Sequence, residues 1–94
     1  MSDQLEAQRG QLAEQVLNNQ VYVDAYGLIE QELTRLWRES RDRSEREQLH
    51  QLLRMLGKVQ TVLESTMRTG QVAASELRRK QSLAEKIGSR FVRD

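Results

Sequence analysis

The sequence predicts a single all-α domain, residues 1–94, built on an antiparallel helical hairpin with one further helix at each end. Three observations lead to this prediction. The chain has no proline, so no residue in it forbids a long helix. Apolar residues recur at helical spacing in two long segments, 20–40 and 44–69. The residues between them, 40–44, include no apolar side chain and form a link so short that the two helices must fold back on each other.

Segment 44–69 carries the clearest helical pattern in the chain. Six positions follow one another at alternating spacings of three and four: Leu49, Leu52, Leu56, Val59, Leu63 and Thr66. This a/d pattern is typical of a helix with one buried seam. Ser44 followed by Glu47 is typical of a capping box, and Gly70 is suited to a left-handed C-cap. The sequence therefore predicts a helix that begins at Ser44 and ends just before Gly70.

Segment 20–40 has a wide apolar face. Its main stripe consists of Tyr22, Tyr26, Ile29, Leu33, Leu36 and Trp37. Val21, Ala25 and Leu28 extend this stripe to the side, and Met55 and Val62 do the same on segment 44–69. Each arm of the predicted hairpin therefore has more apolar surface than a single partner helix can cover.

The two ends of the chain are predicted to be the flanking helices, 3–17 and 71–92. The first is weakly patterned, with Ser2 or Asp3 as its N-cap and Gly10 as an interruption. After it, Asn18-Asn19 is suited to a turn or to a new N-cap. The last helix has an apolar side made of Ala73, Leu77, Ala84, Ile87 and Phe91.

Composition limits the kinds of protein that this chain can be. Hydrophobic residues make up 37% and charged residues 31%, which indicates a thin core that self-association would complete. No cysteine is present, so disulfides and thiolate metal sites are excluded. No signal peptide and no membrane span is predicted. The net charge of +1 is uneven, −4 over residues 1–40, +2 over 41–70 and +3 over 71–94.

No set of residues suited to catalysis is recognisable. His50 is the only histidine, and no nucleophile or acid lies at a defined spacing from it. The glutamates lie scattered on polar faces without the Glu-x-x-His spacing of a di-metal site, and no glycine-rich phosphate loop is present. We therefore expect no enzyme activity, no catalytic residue, no metal, no cofactor and no small-molecule substrate.

The apolar surface of the predicted hairpin is the candidate protein interface. Its candidate residues are Tyr22, Tyr26, Leu28, Trp37, Met55 and Val62. Helical spacing favours core packing for the three aromatic residues, whereas their chemistry is also that of interaction hot spots. Trp37, near the tip of the hairpin, is the best candidate anchor. The expected partner is a second copy of the chain or another protein.

A basic face on the last helix is the second candidate surface. Its candidate residues are Arg79, Lys86, Arg90 and Arg93, opposite the apolar side. This face suits a solvated surface, a contact with nucleic-acid phosphates or another acidic partner, or a membrane surface, in decreasing order of preference. Two small alanines on the apolar side disfavour the membrane. No helix-turn-helix pattern precedes the face, so any DNA contact would be independent of sequence.

A set of residues spread over about 12–77 also carries a family resemblance. The set is Tyr22, Ala25, Glu30-Gln31-Glu32, Trp37, Arg46-Glu47, Leu49, Leu56, Val59, Leu63, Thr69-Gly70 and Ala73. In this order they resemble a group of short, mostly uncharacterised helical proteins encoded in tailed-bacteriophage genomes near head and packaging genes. The resemblance implies a phage protein that works through contacts in the virion, in packaging or against the host. It also implies the bacterial host cytoplasm as the location, with the virion as a second one.

These observations together predict a non-enzymatic helical interaction protein of phage origin, in virion structure or assembly or bound to a partner protein. The alternative prediction is a DNA-packaging component similar to a small terminase subunit. In that case the hairpin would oligomerise and the basic C-terminal helix would contact the DNA backbone.

Overall fold

The computed structural model describes residues 2–92, and the side chains of residues 2–88. It contains three α-helices, α1 (Asp3–Leu17), α2 (Gln20–Glu39) and α3 (Arg43–Val92), and no strand within the described range. The predicted all-α class is therefore confirmed. The molecule is a rod of 80 × 24 × 14 Å. The 50 residues of α3 extend about 75 Å at about 1.5 Å per residue, nearly the whole length of the rod.

The C-terminal half forms one helix where the sequence predicts two, 44–69 and 71–92. Gly70 does not have the positive φ of a left-handed C-cap, and no other residue of the described chain has one. Gly70 is instead a buried residue in the middle of α3. Because glycine has no Cβ, the backbone of α1 comes close to it. Glycine suits both a left-handed helix end and a close approach of two backbones, and its position in the sequence pattern does not show which of the two occurs.

The start of α3 also differs from the prediction. The helix begins at Arg43, and the carboxylate of Asp42 accepts a hydrogen bond from the Glu45 N–H at 3.4 Å. The Asp42 carbonyl accepts from the Arg46 N–H at 2.9 Å. Asp42 is thus the N-cap in place of the predicted Ser44, because its carboxylate caps well and its charge suits the positive end of the helix. The link between α2 and α3 is residues 40–42.

The two shorter helices begin at caps formed by short polar side chains. Ser2 Oγ accepts from the Leu5 N–H at 3.3 Å, and Asn19 Oδ1 accepts from the Tyr22 N–H at 3.1 Å. Asn18 keeps nearly helical dihedral angles of −96° and −1°, and only Asn19 is extended. Helix α1 therefore ends and helix α2 begins within two residues.

Both shorter helices run antiparallel to α3, one after the other along its length. The contact pairs that establish this direction are Asp3–Lys80, Gly10–Gly70, Tyr22–Gln60 and Tyr26–Leu56. The residue number rises in the short helix as it falls in α3. The sequence predicts α1 as a flank of a two-helix hairpin, but α1 packs mainly on α3 and touches α2 little.

The core of the rod is thin. Among the described residues the buried apolar side chains are Ala13, Leu49 and Ala73. Only Leu49 lies in the part of α3 that faces α2, whereas Ala13 and Ala73 flank the contact between Gly10 and Gly70. A core centred on the hairpin of segments 20–40 and 44–69 therefore stays a prediction.

The seam of α3 is rotated relative to the predicted stripe. Leu49 is buried and Leu56 and Leu63 are half-buried, as expected for the inner side. Leu52 and Val59, however, are 52% and 49% exposed. A heptad series of covered positions runs through Leu49, Leu53, Leu56, Gln60, Leu63, Met67 and Gly70, and beside it Gly57, Glu64 and the predicted Thr66 are also half-buried. The prediction missed this seam because it contains the polar Gln60, which the hydroxyl of Tyr22 holds by a hydrogen bond.

Candidate interaction surface

Trp37 and Arg46 join α2 to α3 next to the link. The guanidinium carbon of Arg46 lies 4.2 Å from the centre of the Trp37 ring. Arg46 Nη1 also donates to the carbonyls of Trp37, at 2.7 Å, and Ser40, at 3.0 Å. One side chain thus satisfies two carbonyls near the end of α2 and covers one face of the indole. Trp37 is half-buried, with Arg46 against its ring.

Tyr22 and Tyr26 point at α3. Tyr22 Oη donates to Gln60 Oε1 at 2.9 Å, and Tyr26 Oη donates to the Leu56 carbonyl at 3.2 Å. The two rings lie 6.0 Å apart at 47° to each other. Burial raises the pKa of Tyr26 above its usual value, and the neighbouring Glu30, Tyr22 and Glu64 raise it further. All three aromatic residues of the candidate interface therefore contact α3.

The other three members of the predicted interface are open to solvent. Leu28 is 67%, Met55 59% and Val62 62% exposed. On α3, Met55 and Val62 continue into Leu52 and Val59, at spacings of three and four. The sequence contains the signal for this outer stripe, but the prediction assigned Leu52 and Val59 to the buried seam. On α2 the half-exposed Ile29 lies at the same level.

The basic face is partly engaged in ion pairs. Arg79 Nε donates to the two carboxylate oxygens of Glu76 at 3.1 and 3.2 Å, one turn back along α3. This hydrogen bond lowers the pKa of Glu76 and raises that of Arg79. Lys86 is exposed. The side chain of Arg90 and the whole of Arg93 lie outside the described residues.

Next to this face, Lys80 ties the start of α1 to α3. Its Nζ donates to Asp3 Oδ2 at 2.9 Å. The same hydrogen bond raises the pKa of Lys80. From Gln81 to Gly88 every residue of α3 is exposed, because α1 begins at Asp3 and does not reach this far. The end of α3 thus extends beyond the rest of the rod.

The residues considered for chemistry lie apart from one another. His50 is exposed, beside Trp37, Arg43 and Glu47 near the link. In the part of the chain that the structure describes, no three His, Cys, Asp or Glu side chains are grouped closely enough to hold a metal ion. No helix within the same part has the length and hydrophobicity needed to cross a bilayer.

The chain matches no family model, no curated protein and no solved structure. The resemblance to phage proteins therefore stays a prediction. Two surfaces of the rod are candidates for function, the outer apolar stripe and the basic end of α3.

Proposed function

We propose that this chain is a non-enzymatic helical interaction protein that binds through the exposed apolar side of α2 and the first half of α3. The observation that carries the proposal is the contrast between a very small buried core and a continuous row of exposed large apolar side chains. Water-exposed apolar patches of this kind mark interaction sites in stable proteins.

The exposed stripe on α3 supplies a large part of the free energy that such a contact needs. Leu52, Met55, Val59 and Val62 are each about half exposed or more. Full burial of an aliphatic side chain contributes about 1.5–3 kcal/mol, so completing the burial of these four contributes about 3–6 kcal/mol. A matching contribution from the partner raises the hydrophobic gain to about 6–12 kcal/mol, from which the cost of association, about 4–15 kcal/mol, is subtracted, so burial on α2 must add to that of the four α3 side chains.

A role without catalysis rests on the sequence, in which no nucleophile or acid lies at a defined spacing from His50. The resemblance to phage proteins favours virion assembly as the setting and the bacterial host cytoplasm as the place where it acts. An antiparallel hairpin of α2 and the facing part of α3 is the element that we propose to present the surface.

A photo-reactive phenylalanine analogue at Met55 tests the interaction in cells that make the protein. We expect it to cross-link to a protein partner, whereas the analogue at Thr61, on the other side of α3, should not. Thr61 is exposed, so both analogues are accessible. Absence of any cross-link from Leu28, Met55 and Val62 would overturn the proposal. Equal cross-linking from Thr61 would also overturn it, because the contact would not depend on the apolar side.

The second candidate is a packaging component that contacts the DNA backbone through the end of α3. The specific observation in its favour is that residues 81–88 extend beyond α1 and are exposed on all sides, with Lys86 among them. The Arg79–Glu76 pair works against it, because the neighbouring carboxylate offsets the attraction to phosphate. A gel shift at low salt distinguishes this candidate from the first.

A further inference from the structure

The outer stripe of α3 repeats the spacing of its buried seam one residue earlier. The seam positions 53, 56, 60, 63, 67 and 70 each follow a stripe position, and the stripe consists of Leu52, Met55, Val59, Val62, Thr66 and Thr69. One residue turns an α-helix by about 100°. The helix thus presents two heptad-spaced sides about 100° apart, one against α2 and α1 and one that is exposed from Leu52 to Val62 and borders α1 at Thr66 and Thr69.

Helix α2 shows the same displacement. Tyr26 and Trp37 face α3, and the residues just before them are Ala25 and Leu36. Ile29 continues this outer side, one turn after Ala25, and is 50% exposed. The outer side of α2 is therefore also turned by about 100° from its seam, and in the same sense along the chain.

These two outer sides form one face. When two helices are antiparallel, turns of the same sense about each N-to-C axis point to the same side of the pair. Ile29 lies level with Leu52 and Met55, because Tyr26 is opposite Leu56. The opposite side of the pair carries Val23, which follows Tyr22 and is 46% exposed, and otherwise the half-buried Thr34, Gly57 and Glu64. Over the length of α2 the rod therefore has one apolar face and one that is more polar.

We propose that this face binds the same face of a second copy of the chain, so that two α2–α3 pairs form a four-helix bundle. The inference rests on the proposed function and names its partner. In a square bundle each helix contacts two neighbours in directions about 90° apart, and the two sides of α2 and α3 differ by about 100°. Binding of a single helix or of a flat surface would not require an outer side about 100° from the seam on both α2 and α3.

The size and charge of the face fit self-association. The 20 residues of α2 extend about 30 Å, and two helices side by side are about 20 Å wide, which gives about 600 Å² of projected surface. Standard interfaces bury about 800 Å² of accessible surface per partner. The α3 stripe from Leu52 to Thr69 has no charged residue. Two identical faces therefore meet without placing like charges opposite each other along α3.

The charges on the α2 edge are partly balanced within the chain. Glu32 and Glu39 both pair with Arg35, and the Arg35–Glu39 contact measures 2.8 Å. Leu36 lies between them and is half-buried. The edge of the face is thus hydrated and keeps one unbalanced negative charge, and a polar, solvent-accessible rim is typical of protein interfaces.

Sedimentation equilibrium of the full chain tests the proposal. The wild type should sediment at twice its 11.0 kDa mass. The variant with both Met55→Gln and Val62→Gln should weaken dimerisation by about 100-fold or more, since four apolar contacts per dimer are lost. The matched control carries Arg54→Gln and Thr61→Gln, at the same spacing but away from the face, and should leave the dimer unchanged. A monomeric wild type at tens of micromolar, or a Gln variant at positions 55 and 62 that dimerises like wild type, would overturn the proposal.

Single cysteines provide a second measurement that does not depend on stability. The chain has no cysteine, so Val59→Cys and Thr61→Cys each introduce a unique thiol. A short bis-maleimide linker should join two chains through position 59 and not through position 61. Linking through 61 alone would overturn the proposed face. A monomer that photo-cross-links from Met55 to a different protein would overturn self-association and leave the proposed function standing, whereas no cross-link would remove both.

Discussion

Gly10 and Gly70 lie backbone to backbone where α1 packs on α3. A Cβ built on Gly10 would lie 2.5 Å from the Gly70 Cα, and one built on Gly70 would lie 2.9 Å from the Glu6 carbonyl oxygen. Ala13 and Ala73, three residues further along each helix, are 5% and 3% exposed. Small residues on both helices thus allow an approach that any larger side chain would prevent.

The variant Gly70→Ala should therefore destabilise the protein although alanine favours helix. Helix propensity alone would add about 1 kcal/mol of stability. The clashing atoms belong to the backbone of α1 and cannot rotate away, so we expect the free energy of unfolding to fall by about 1–3 kcal/mol. Urea denaturation followed by circular dichroism measures the difference.

Gly57→Ala is the matched control for this substitution. Gly57 lies in the same helix, and a Cβ there would have nothing within 4 Å. This variant should be more stable than wild type by about 0.4–1 kcal/mol. Equal stabilisation by both substitutions would contradict the close contact between α1 and α3.

The variant Arg46→Lys tests the contact by which Arg46 of α3 holds the Trp37 ring and the carbonyls of Trp37 and Ser40 at the end of α2. Lysine keeps the charge but lacks the planar fork that donates to two carbonyls and lies flat on the indole. We expect the free energy of unfolding to fall by about 1–2 kcal/mol. Trp37 is the only tryptophan, so its fluorescence should shift to longer wavelength as its ring becomes more hydrated. Arg54→Lys, at an exposed arginine of the same helix, should change neither quantity.

The raised pKa of Tyr26 predicts a loss of stability in alkaline solution. Burial disfavours the charged phenolate, and the Leu56 carbonyl accepts its hydrogen bond only from the protonated hydroxyl. The native state therefore holds this proton more tightly than the unfolded state. The stabilisation that comes from protonated Tyr26 is fully present below the unfolded pKa of about 10. It is lost as the pH rises through the higher pKa of the folded state.

Ultraviolet absorbance of tyrosinate checks this prediction. In the wild type one of the two tyrosines should ionise above the usual range, and Tyr26→Phe should remove that transition. The stability of Tyr26→Phe should depend less on pH above about 10 than that of the wild type. An unchanged alkaline transition in Tyr26→Phe would contradict the assignment.

The basic end of α3 leads to a prediction about DNA. If it contacts phosphates, affinity should not depend on sequence, and log K should fall by about 0.9 per phosphate contacted for each unit of log salt. Gln at Arg79, Lys86, Arg90 and Arg93 should abolish the gel shift and leave helicity intact. The control replaces four arginines away from this end of α3, Arg38, Arg41, Arg43 and Arg54, and should still bind. No shift by the wild type at low salt and micromolar protein would eliminate the packaging role.

The candidate site was partly predictable. Leu28, Met55 and Val62 lie off the main stripes, and the sequence pattern alone marks them as excess apolar surface; the structure leaves all three exposed. The sequence pattern could not show that Leu52 and Val59 face outward. Residues 52 and 53 are both leucine, and either one fits the heptad spacing of the buried seam. In the structure the seam runs through Leu53 and Gln60, where the polar Gln60 accepts a hydrogen bond from the hydroxyl of Tyr22.

The sequence by itself determined the helical class and the positions of α1 and α2, since the absence of proline, the apolar spacing and the Ser2 and Asn19 caps act within one helix and its nearest turn. Only the tertiary structure decided what Gly70 does and where α1 lies. A glycine lowers the barrier both to a left-handed turn and to a close approach of backbones, so its role depends on what is nearby. Here that neighbour is Gly10, sixty positions earlier in the chain, and the result is one continuous α3.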